Sequence, residues 1–126
     1  MKIKWLDRNI SALGPYLCLC LSEDEYKQAF KDINEIPIGP WLSTPQSNAT
    51  SHFLTASSGL CAVVCLGDCS KRNPIEIATL LVHEAVHVWQ EWCDYYGENN
   101  PGNEQEAYAI QNIAQELMNA YVGTLK

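Results

Sequence analysis

The order of patterned segments predicts a small α+β domain, with a sheet of about three strands packed against a long helix and a C-terminal helix. Three observations support this. Short apolar or alternating runs bounded by turn residues stand at residues 15–22, 49–56 and 60–67. Helical patterning with terminal signals occupies two long segments in the second half, residues 74–96 and 103–122. The length of 126 residues suits one hydrophobic core, so residues 1–126 are expected to form a single domain.

Each element has its own local reason. The run PYLCLCLS (residues 15–22) is apolar and short, and reads as a strand. Ser22, three residues before Glu25, is a capping-box signature that opens a helix through EDEYKQAFKDINEI, which must end before Pro37. Residues 37–48 are rich in Gly, Pro, Ser and Thr and read as a loop. ATSHFLTA and LCAVVCLG then form two strands joined by SSG, a hairpin. Asn73 as N-cap with Pro74 at the first helical position starts a helix that runs to Tyr96, where Gly97 stops it. After the loop ENNPG, Asn103 is the expected N-cap of a last helix that runs close to Val122.

Composition narrows the function classes. Hydrophobic residues make up 47% and charged residues 18%, a balance that permits a packed core. The formal net charge is -7, and from Pro74 onward eight acidic residues face Lys126 alone. That sign excludes a nucleic-acid binder. No apolar run approaches the length of a membrane span, and Asp7 and Arg8 interrupt the N-terminal segment MKIKWLDRNISALG, unlike a signal peptide. The expected location is the cytoplasm, without secretion. The six cysteines are then expected to be reduced and mostly buried, and the sequon at Asn48 unused.

The segment LLVHEAVHVWQEW carries the chemistry. On a wheel of about 100° per residue, His87 lies about 40° from His83, whereas Ile77, Leu81, Ala85, Val88 and Trp92 occupy an arc between about 120° and 200°. Both imidazoles therefore point away from the apolar stripe. One helical turn apart, they can reach one Zn²⁺ at about 2.0–2.1 Å, with Glu84 beside it as a base for bound water. A catalytic zinc site takes three protein ligands and keeps one position open. Glu104 and Glu106, on a helix that can fold back after the short loop, are the candidates for the third. Glu106 lies slightly nearer the apolar stripe of that helix (Ala107, Ile110, Ala114, Leu117, Met118, Tyr121), but as N3 after Asn103 it has a capping task, which leaves Glu104 without a structural one.

HEAVH, followed after sixteen intervening residues by EQEAY, resembles the gluzincin clan of zinc metallopeptidases. More narrowly, HEAVHVWQEW and PGNEQEAYAIQNIAQEL are similar to minimal zincin-like metallopeptidases encoded by tailed phages and prophages. The resemblance covers about a third of the chain, Leu80 to Leu117. It implies a zincin-like fold, zinc held by His83, His87 and Glu104, and peptide-bond hydrolysis in which Glu84 activates a zinc-bound water. For a phage-encoded protein, the cytoplasm is that of the bacterial host. Tyr108 stands where the clan carries an acidic residue, four positions after Glu104. It implies that the strand before the metal helix, Leu60 to Leu66, borders the site and pairs with an extended peptide substrate. An oxyanion donor is also needed, and Tyr95, Tyr96, Tyr108 and His52 have the chemistry for it.

A different class is also compatible with these residues. A single lobe offers little wall to enclose a substrate, so the same scaffold can serve as a non-catalytic, zinc-stabilised module for binding or virion assembly. Cys61, Cys65 and Cys69 recur every fourth residue, but on a strand Cys61 and Cys65 share a face with Val63, as Cys18 and Cys20 share theirs. Burial of reduced thiols explains them better than metal binding. Trp89 and Trp92 fall at or within the core arc and are expected to pack.

Overall fold

Every residue from Leu60 to Leu66 is buried, as expected of a strand with neighbours on both edges and helices on both faces. The computed structural model describes residues 1–6, 15–56 and 59–125 of the chain. Its elements are β1 (Tyr16–Cys20), α1 (Glu23–Asp32), β2 (Ala49–Ala56), β3 (Gly59–Leu66), α2 (Pro74–Tyr96) and α3 (Asn103–Gly123). They form an α+β fold with a three-stranded sheet in the order β1-β3-β2. β2 and β3 pair antiparallel as predicted, the junction at residues 57–58 lying outside the described residues, and β1 joins β3 in parallel, with Tyr16 opposite Cys61 and Cys20 opposite Cys65. The parallel pair requires a crossover, which α1 supplies.

Strand alternation sorts the side chains into two layers. Leu17, Leu60, Ala62, Val64 and Leu66 face α2 and α3, where they meet Leu81, Ala85, Val88, Trp89, Ile113 and Leu117. Cys18, Cys20, Val63 and Cys65 face the other way, toward Tyr26, Ala29 and Phe30 of α1. All six cysteines are free thiols, and all but Cys69 are buried. Burial raises the pKa of Cys93 and keeps it a neutral thiol. Trp5 and Trp41, which sequence patterning left open, both pack on the α1 side. Among the described residues no helix is long and apolar enough to cross a membrane.

The helix ends reveal where local chemistry decides the fold. Asn73 caps α2 as predicted: its side chain accepts from Glu76 N at 2.9 Å while Glu76 Oε1 accepts from Asn73 N at 3.0 Å. Gly97 ends this helix in the left-handed region at φ 72°. α1 ends at Asp32, earlier than Pro37 alone requires, because Asn34 takes φ 58° and Glu35 N donates back to the Phe30 carbonyl. Ser22 caps α1, but Glu25 Oε1 accepts from Leu21 N rather than closing the box on Ser22. Asn103 is not an N-cap. Gly102 holds that position without a side-chain bond, so Asn103 is the first helical residue and Glu106 lies one place beyond N3. The buried stripe of α3 runs through Ala109, Ile113, Ala114 and Leu117, and Ala107 is exposed.

Candidate functional site

α2 is 23 residues long, about 35 Å, and crosses the sheet above β2 and β3. Its apolar stripe is pinned between the sheet and α3, which fixes the rotation of the helix about its axis. The opposite side is left open, and there His83 and His87 stand exposed. Their Nε2 atoms are 3.1 Å apart and the rings meet edge to face at 77°. Two imidazole lone pairs cannot face each other at that distance without a proton or a cation between them. The edge of a tetrahedron of nitrogen donors at about 2.05 Å is about 3.3 Å, so the pair fits two corners of a zinc site. Gln90 adds a second feature. Its Oε1 lies 3.3 Å from His87 Nδ1, an arrangement in which that nitrogen donates and Nε2 keeps its lone pair for a ligand.

Glu84 turns toward the sheet and is 5% exposed, the only charged side chain in the core of the described residues. Ser51 of β2 donates its hydroxyl to Glu84 Oε1 at 2.7 Å. Alternation along β2 places Ser51 on the same face as Phe53, which packs in the α2 core, so strand register and helix rotation together create this contact. The other oxygen, Oε2, lies 4.0 Å from His83 Nε2. One carboxylate oxygen is thus tied to the sheet and the other stays beside the histidines. Two clefts flank this group. One, of about 300 Å³, lies between β2 and the helix and is lined by Ser43, Thr50, Ser51, His83, Glu84 and His87. Its neighbour, of about 380 Å³, extends along Asn48, Ala49, Thr79 and Leu80.

The two glutamates of α3 have separate positions. Glu106 Oε2 accepts from Trp89 Nε1 at 2.8 Å. Trp89 is two residues beyond His87, about 200° around the helix, so this bond holds Glu106 on the side of α2 away from the histidines. It explains how the indole of Trp89, 1% exposed, has its donor satisfied. Glu104 is exposed on the first turn of α3. Among the described residues no third histidine, cysteine, aspartate or glutamate completes a metal-holding group with His83 and His87. The structure therefore brings together His83, Glu84 and His87, and gathers neither Glu104 nor Glu106 with them.

Two further expectations change. The strand Leu60 to Leu66 cannot accept a peptide by strand addition, because β1 and β2 occupy both of its edges. The strand that lies at the edge beside the histidines is β2. Of the oxyanion candidates, His52 is on the α1 face of the sheet, against Tyr26 and Phe30, with Nε2 at 2.8 Å from the Trp41 carbonyl. It is remote from His83. Tyr95 and Tyr96 pack on each other at the end of α2, Tyr96 also on Trp92, and Tyr108 is 60% exposed on α3. Ser51 and Gln90 were missed by sequence reasoning. Gln90, three residues after His87 on a helix, carried a readable signal; Ser51, thirty-three residues before Glu84, carried none.

Comparisons with protein-family models, with curated proteins and with solved structures give no match.

Proposed function

We propose that the chain is a zinc-dependent peptidase of the HExxH type, with His83 and His87 as nitrogen ligands, Glu104 as the third ligand and Glu84 as the general base. The observation that carries this reading is the convergence of two Nε2 atoms at 3.1 Å beside a buried glutamate whose far oxygen is already bonded. A purely solvated helix face needs no such bond, because an exposed glutamate is satisfied by water. Zinc at this place would polarise a scissile carbonyl and acidify a bound water.

The chain's own residues do the rest. Ser51 holds Glu84 Oε1, which turns Oε2 toward the histidines, where it can take a proton from water and return it to a leaving amine. Gln90 orients the His87 ring. The outer edge of β2 offers backbone groups to an extended peptide, and the cleft between β2 and the histidines accommodates the reacting bond. Glu104 is assigned the third ligand place over Glu106 because Glu106 serves Trp89.

Zinc analysis of the native protein together with a peptide-library digest tests this. One zinc per chain is expected, with metal lost in His83→Ala and both metal and fold kept, but hydrolysis lost, in Glu84→Gln. Native protein without zinc refutes the reading. One zinc with no cleavage in the wild type supports instead the non-catalytic scaffold for binding or virion assembly, a role that the small, open clefts also suit.

A further inference from the structure

A further cavity, of about 370 Å³, lies between the first turns of α2 and the last turns of α3. Ala78 and Leu81 of α2, Met118, Tyr121 and Val122 of α3, and Arg72 from the loop before α2 line it. By helical periodicity Ala78 and Leu81 are on the side of α2 turned away from His83 and His87. The cavity is separate from the candidate active site and its occupancy does not depend on zinc. Its volume falls in the range of about 300–1,000 Å³ that small-ligand sites occupy.

The charge in its lining is unusual for this chain. Lys71 and Arg72 are the only cationic side chains between Lys31 and Lys126, in a protein of net charge -7. Arg72 donates one Nη2 bond to Asn48 Oδ1, and among the described residues no carboxylate pairs with it. The neighbouring acids are committed elsewhere: Asp68 accepts from Ser70 N and Oγ, and Glu76 closes the cap on Asn73. A guanidinium carries five donors, so most of this fork is left for a ligand. The thiol of Cys69, also in the wall, donates to the Gly67 carbonyl, and burial raises its pKa, so it adds no negative charge.

We infer that this cavity binds an aliphatic carboxylate, a medium-chain fatty acid, with its chain between α2 and α3 and its head group on Arg72. Apolar walls and a guanidinium that has no carboxylate partner among the described residues select that chemistry over a sugar, a nucleotide or a cationic ligand.

Isothermal titration of the full-length protein with octanoate, decanoate and decanol, each below its micelle concentration, tests the proposal. Decanoate should bind at one site per chain, with about fourfold tighter binding per methylene from octanoate upward, as burial of each CH₂ implies. Decanol should bind at least about tenfold more weakly, for want of the charge-assisted bond. Arg72→Gln, in the loop before α2, should abolish the difference between decanoate and decanol, whereas Ala78→Trp should fill the cavity and abolish both. No saturable binding overturns the proposal, as does equal affinity for acid and alcohol, or binding unchanged by either variant. A dimer dispersed by Ala78→Trp overturns it too, because the cavity would then be an interface between copies of the chain.

Discussion

Removing the Ser51 hydroxyl by Ser51→Ala isolates the hydrogen bond that joins the sheet to the candidate base. The bond is short, 2.7 Å, and its acceptor is a carboxylate that is 5% exposed. Hydrogen bonds to charged groups contribute about 1.5–3 kcal/mol, and a buried acceptor left unsatisfied lies at the upper end. The clefts of about 300 and 380 Å³ beside Glu84 let water replace the hydroxyl, which draws the expected loss toward about 1.5 kcal/mol. For a domain of this size that corresponds to a fall in Tm of about 6 °C. Thermal unfolding of the metal-free chain measures it, and Ser51→Thr, which keeps a hydroxyl on a strand, should recover most of it. A double-mutant cycle with Glu84→Leu then separates the bond from strand propensity. Coupling of about 1 kcal/mol or more is expected. Additivity within about 0.5 kcal/mol would show that Ser51 and Glu84 do not interact, and the positioning argument for Glu84 would fall with it.

The other predictions address the third ligand and the helix ends. Glu104→Gln should weaken zinc binding at least about tenfold in a competition with a chromophoric chelator, whereas Glu106→Gln should leave zinc binding within about twofold and change the environment of Trp89, read as a shift in tryptophan emission; the opposite pattern would move the ligand to Glu106. Gly97→Ala should cost about 1 kcal/mol by denaturant titration, because Gly97 holds φ 72°, while the added methyl meets no atom within 4 Å. A loss well beyond 2 kcal/mol would mean that packing, not backbone conformation, is what the glycine provides there.

How far each feature could be read from the chain depends on the range of the forces that produce it. Both ends of α2 were legible because each is chemistry within four residues: Asn73 with Glu76, Pro74 at the first position, Gly97 in the left-handed region. The rotation of that helix was legible too, since Ile77, Leu81, Ala85, Val88 and Trp92 repeat at helical spacing and are all buried. From this rotation followed the exposure of His83 and His87. The ends of α1 and α3 were less clear because more than one residue could serve. Asn34 competed with Pro37 to end α1, and Gly102 with Asn103 to begin α3.

By itself, then, the sequence determined the α+β element order, the HExxH face and the burial of most of its cysteines, all of which rest on periodicity and on caps local to a few residues. Only the tertiary structure decided that β3 is the middle strand and β2 the edge, that Ser51 bonds Glu84, and that Glu106 serves Trp89 while Glu104 stays exposed. Those choices depend on which strand edges meet and how two helices align. Such contacts join residues 17 to 33 positions apart, and any polar side chain at those sites would leave the local pattern unchanged.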